Sequence, residues 1–120
     1  MKTKTHSNPI IEKTFQFSIN IISFTEKLNE LKKYNLANQL FRSGTSIGAN
    51  VREAQAAESI PDFIHKLRIA AKEAQETDYW LSICKESEFY PYDEELSKMV
   101  IEISKLLSSI ISTTKKRYNK

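Results

Sequence analysis

Arg42-Ser43-Gly44-Thr45-Ser46-Ile47-Gly48 is the stretch on which the fold turns. By propensity it is a poor helix, because two Gly and three Ser or Thr cost on the order of 3 kcal/mol relative to Ala. Yet Leu36 and Leu40 before it, Ile47 within it, and Val51 and Ala54 after it keep one apolar stripe at helical spacing. Gly44 and Gly48 are four apart and share a face. Small residues so placed let two helix backbones approach closely, and Ala70 and Ala74 repeat the spacing further along. The stripe favours one helix over about 36–58, straight through the segment; a loop is the alternative.

Outward from this helix, the punctuation marks three more. Asn8 and Pro9 make a helix start, a capping side chain before proline at the first helical position. Ile10, Phe17, Ile21, Phe24, Leu28 and Leu31 then recur at spacings of mostly three and four. Ser59 with Asp62 resembles a capping box, Asp standing for the usual Glu or Gln. Behind it Phe63, Ile64, Leu67, Ala70, Ala74 and Leu81 line one side. Phe89 to Tyr92 break the pattern, and Asp93, Glu94 and Glu95 suit another N-terminus. In the last helix Leu96, Met99, Ile103, Leu106 and Ile110 take the inward positions, with Val100 and Leu107 beside them. The expected fold is all-α: a single domain over 1–120, an up-down-up-down antiparallel four-helix bundle. Its helices span about 9–32, 36–58, 60–88 and 93–115, with short basic ends.

Composition agrees with this and narrows the function classes. A chain of 120 residues has room for one domain, and 2 Gly with 3 Pro are too few for the turns of a sandwich or barrel. One Cys excludes an internal disulfide and any multi-cysteine zinc site. No apolar run approaches the roughly 20 residues of a membrane span, and Met1 to Pro9 lacks a signal-peptide core, so the expected setting is the cytoplasm, without a membrane partner.

Charge is uneven. Residues 1–13 carry +2, residues 103–120 carry +5 with no acid, and the body between holds −4. Lys115, Lys116, Arg117 and Lys120, with Tyr118 to stack on a base, form a candidate nucleic-acid contact. A basic terminus serving only solubility is the competing reading. Apolar residues are also in surplus. Ile11, Phe15, Ile19 and Ile22 lie nearly opposite Phe17, Ile21, Phe24 and Leu28, and Ile69, Tyr79, Trp80 and Ile83 lie away from Leu67 and Ala74. A four-helix bundle buries one broad face of each helix, so these residues are the expected oligomer interface.

Chemistry-bearing residues are sparse. Cys84 has no thiol neighbour, His6 sits in the basic end, and His65 lacks a second histidine at ligand spacing. Ser43 and Ser46 near Gly44 lack the Gly-Lys-Ser or Gly-Lys-Thr of a phosphate loop. Asn50, Glu53, Lys72, Glu73 and Glu76 form a polar network in which Lys72 and Glu76 can pair, four apart. Asp78 is placed in the Leu67, Ala74, Leu81 stripe, where a carboxylate needs a cation or several donors. Four acids between helices evoke a di-iron site, but the Glu-x-x-His motif is missing. No cofactor, metal or catalytic residue is expected, and the chain is read as a non-enzyme.

Ser43 through Ala54 resembles a signature of the 23S rRNA intervening-sequence proteins. Asp62-Phe63-Ile64-His65-Lys66-Leu67, with Lys72 to Thr77 and Tyr79-Trp80-Leu81, resembles a second. Where many members have Gly soon after the position of Glu53, this chain has Ala54 and Gln55. The resemblance covers roughly 10–112. It implies a four-helix bundle assembling as a homopentamer, with no known catalytic activity, from genes inside insertions of bacterial large-subunit ribosomal RNA. A related branch, the accessory variability determinant of diversity-generating retroelements, binds nucleic acid and a reverse transcriptase. The expected function is a non-catalytic homo-oligomeric scaffold that binds RNA, DNA or a nucleic-acid enzyme. A pure protein-interaction module is the alternative.

Overall fold

The computed structural model describes residues 8–118. Four helices follow one another: α1 (Pro9–Glu30), α2 (Tyr34–Gln55), α3 (Ile60–Glu86) and α4 (Glu94–Tyr118). The shortest are 22 residues, about 33 Å long at the rise of an α-helix. The three residues joining α1 to α2 reach at most about 14 Å, and the seven before α4 about 29 Å, so no link can run back along a helix. Each helix is therefore antiparallel to the one before it. Packing joins α1 to α2, α2 to α3, α3 to α4 and, most thinly, α1 to α4, so the helices stand at the corners of a square in chain order. The architecture is an all-α four-helix bundle.

Local chemistry sets the ends. Asn8 accepts from the Ile10 amide at 3.3 Å, and Ser59 accepts from the Asp62 amide at 3.1 Å. Asp62 returns the bond to the amide of Glu58, one residue earlier than the reciprocal partner of a full capping box. Asp93 accepts from the amides of Glu95 and Leu96. α1 closes two residues before the expected end, because Lys32 adopts a left-handed φ of 62°. The amides of Lys32 and Lys33 then turn back to the carbonyls of Asn29 and Leu28, the paired bonds of a Schellman motif. α2 stops at Gln55 rather than 58, and α4 continues to Tyr118 rather than 115.

Residues 42–48 are helical throughout. α2 sits in the corner between α1 and α3, and consecutive residues serve different neighbours. A Cβ on Gly44 would lie 2.8 Å from Ile21 Cγ1, and one on Gly48 would lie 3.2 Å from the Thr14 carbonyl oxygen, so both glycines face α1. Ser43, one step round the helix, shares a buried 2.9 Å hydrogen bond with Thr77 of α3. Ala70 and Ala74 are buried in the core of α3.

The core is Phe17, Ile21 and Leu28 from α1, Leu40, Ile47 and Val51 from α2, Leu67 and Leu81 from α3, and Leu96, Val100, Ile103 and Leu107 from α4. Each such side chain contributes roughly 1.5–3 kcal/mol by leaving water. On α4 the inward stripe is rotated from the expected one. Val100 and Leu107 are fully buried, while Met99, Leu106 and Ile110 are half-buried at its edges. On α3 the residue aimed inward is Thr77, and Asp78 is only half-buried, so it needs no compensating cation. Lys13 pairs with Glu102 at 2.9 Å across the thin α1–α4 junction.

Candidate nucleic-acid interface

α4 ends in Lys115, Lys116, Arg117 and Tyr118 as its last helical turn, where cations complement the negative end of the helix dipole. Because this turn is helical, its residues diverge. Lys115 and Lys116 face α3 and line a groove of about 560 Å³ with Arg68, Ala71, Lys72, Ser108, Ile111 and Ser112. Arg117 turns to the other side of α4, into a cleft that also holds Glu58. Tyr118 is 54% exposed. Lys120 lies outside the described residues, as does His6.

The groove gathers four cations and no acid lines it. Among the described residues, none of Arg68, Lys72, Lys115 and Lys116 lies within ion-pairing distance of a carboxylate. Their positive potential therefore adds along the groove instead of being neutralised. Two of these residues come from α3. Arg68 was missed in the sequence because the charge there lies within an acidic body. His65, Arg68 and Lys72, spaced by three and four, were the available signal.

The expected polar network is divided. Arg42 is its centre, with Nη2 2.6 Å from Glu76 and Nη1 3.8 Å from Glu73, and Trp80 Nε1 donates to Glu76 at 3.0 Å. Glu53 pairs separately with Lys66 at 3.0 Å and holds that ammonium above its ordinary pKa. Asn50 donates to the Ser46 carbonyl at 2.9 Å within its own helix. Lys72 does not pair with Glu76; it faces the α4 side, and Glu76 is occupied by Arg42. These contacts join α2 to α3.

The apolar residues set aside for self-association fall on two surfaces. Phe15, Ile19 and Ile22 are 55%, 46% and 36% exposed, with Ile11 half-buried beside them. The Arg52 guanidinium lies 5.4 Å from the Phe15 ring, so α2 borders this stripe, and Phe41 extends it at 48% exposure. On α3, Tyr79 is exposed and packs edge-on to Trp80, while Ile69, Trp80 and Ile83 are half-buried.

Catalytic chemistry finds no foothold in the groups the sequence raised. Cys84 is buried, and burial pushes its thiol up to about 11, away from the reactive thiolate. His65 is exposed on the rim of the basic groove. Among the described residues no group of three His, Cys, Asp or Glu is placed to hold a metal ion. No helix there is long and apolar enough to cross a membrane.

Comparison with known proteins agrees with the fold. A crystal structure of a protein with unknown function, from the S23 ribosomal protein family of Bacteroides thetaiotaomicron VPI-5482, superposes with a TM-score of 0.81 at 45% identity. The alignment covers 85% of this chain and 97% of that one. No curated protein matches. The family model for the 23S rRNA-intervening sequence protein matches residues 6–109, stopping short of the basic last turn of α4. By that match over most of its length, the chain belongs to the 23S rRNA-intervening sequence protein family.

Proposed function

We propose that this protein is a non-catalytic, self-associating cytoplasmic scaffold that holds nucleic acid in the groove between α3 and α4. The observation that carries the reading is the groove itself: Arg68, Lys72, Lys115 and Lys116 converge from two helices with no carboxylate to neutralise them. A run of regularly spaced phosphates is the ligand such a row of cations matches. One groove makes only a handful of phosphate contacts, which salt readily displaces. Self-association through the Phe15, Ile19, Ile22 stripe, as a pentamer by the family resemblance, would tether several grooves and raise apparent affinity by orders of magnitude. An enzyme working on the same strand, such as a reverse transcriptase, is the protein partner this arrangement would serve.

The test combines two variants. Replacing Arg68, Lys72, Lys115 and Lys116 by Gln should leave the helical content and oligomer unchanged and lower the salt slope of single-strand binding by roughly 3, at about 0.7 per phosphate contact. Phe15→Glu with Ile22→Lys should break the oligomer and weaken binding with the groove intact. Wild-type protein that binds neither RNA nor DNA at low salt would replace this reading with a protein-interaction module. Light scattering that finds a stable wild-type monomer would remove the scaffold.

A further inference from the structure

The basic groove does not end blindly. At its Tyr118 end it opens into a second cleft of about 430 Å³, and Arg68 and Lys115 line both. The character changes across that pair. The second cleft has an apolar side of Ile60, Pro61 and Ile64 from the first turns of α3, and an aromatic side in Tyr118. Its volume falls in the range of small-molecule sites, roughly 300–1,000 Å³. From Ile60 to Lys72 the two clefts together follow about 18 Å of α3.

We infer that the Tyr118 cleft receives one unstacked base of a single strand whose phosphates run along the Arg68–Lys72–Lys115–Lys116 groove. This rests on the nucleic-acid reading above and adds the form of the ligand. Three features fit a nucleotide together. Flat apolar and aromatic surfaces suit the two faces of a base. Arg68 and Lys115 stand at the cleft's mouth, where the sugar–phosphate link must pass. The cations beyond them continue in one direction only, as the phosphates of a chain do. A duplex cannot use the cleft, because its bases are paired and stacked inside the helix. The site therefore discriminates single strands, loops and ends from duplex while remaining tolerant of sequence.

Fluorescence anisotropy on the full-length protein tests this with three probes: a short oligothymidine, an abasic strand of the same length, and the matching duplex. Wild type should bind oligothymidine most tightly. Tyr118→Ala should weaken that binding by roughly 5- to 150-fold, the effect of losing one stacked base, and leave the abasic strand unaffected. Tyr118→Phe keeps the ring and should retain wild-type affinity. Tyr118 closes the last helical turn and is half-exposed, so the bundle should tolerate its loss, and circular dichroism checks this. Equal binding of oligothymidine and the abasic strand, with Tyr118→Ala silent, would overturn the base cleft and leave the phosphate groove standing. Binding of none of the probes at low salt would overturn both.

Discussion

Gly44 offers a test in which one methyl group should change the sign of its effect. Built on the backbone, its Cβ lies 2.8, 3.0 and 3.1 Å from Cγ1, Cγ2 and Cδ1 of Ile21, which is itself fully buried. Gly44→Ala should gain about 1 kcal/mol of helix propensity. Overpacking should cost about 1–3 kcal/mol, since Ile21 has little room to yield. The net effect is a loss of up to about 2 kcal/mol, a fall in the urea midpoint on the order of 1 M. Ile21→Ala alone should cost about 2–5 kcal/mol by opening a cavity. It also removes all three atoms that the new methyl meets. In that background Gly44→Ala should stabilise, by about the propensity term and whatever contact the methyl regains. The cycle therefore predicts a coupling of about 1–3 kcal/mol. Urea unfolding of the four proteins at one concentration measures it, with concentration held fixed because self-association adds to apparent stability. If Gly44→Ala raises stability equally in both backgrounds, α1 and α2 do not meet at Gly44, and the packing described here is wrong.

Two further outcomes follow from single residues. Lys32 holds a left-handed φ of 62° at the end of α1, so Lys32→Gly should stabilise the protein by about 0.5–1 kcal/mol, while Lys32→Val should destabilise it; thermal melts read both. Burial raises the Cys84 thiol from 9.0 to about 11, so the folded state holds its proton after the unfolded chain has begun to lose it. The stabilisation is whole below about pH 9 and is lost as pH climbs towards 11. Cys84→Ala should flatten that part of the stability profile, and a thiol reagent at pH 8 should react only on unfolding.

What could be read in the sequence was whatever is local. Asn8, Ser59 and Asp93 cap their helices through amides two or three residues away, so their spacing already contains the contact. The apolar stripe through Gly44 likewise outvotes the poor propensity of residues 42–48, because burial of Leu40, Ile47 and Val51 outweighs it. The end of α1 was less legible, since nothing in Lys32 itself announces a left-handed residue. Pairing between helices was not legible at all. Spacing says that Gly44 and Gly48 share a face, but not that α1 fills it. In the same way, an i to i+4 pair of Lys72 and Glu76 is available on paper, yet Arg42 reaches Glu76 from α2 at 2.6 Å and Lys72 turns to α4. The candidate site shares that limit, because half its cations sit on α3, 43 or more residues from Lys115.

The order of the helices gives the two unexplained surfaces a fixed relation. In a square packed in chain order, the edge formed by α1 and α2 is opposite the edge formed by α3 and α4. Phe15, Ile19, Ile22 and Phe41 lie on the first edge; Arg68, Lys72, Lys115 and Lys116 lie on the second. Apolar burial on one edge therefore need not cover the cations on the other, and copies joined through α1 and α2 would keep their α3–α4 grooves open. The reverse arrangement would be costly: burying four unpaired cations in an interface incurs a desolvation penalty that nothing nearby offsets. Between α2 and α3, by contrast, Arg42 and Lys66 are already matched to Glu73, Glu76 and Glu53, so that side can be covered or left open at little electrostatic cost. Charge thus assigns the three sides different tasks. The α1–α2 edge is the one that gains from contact, and the α3–α4 edge is the one that must stay open to water or to phosphate.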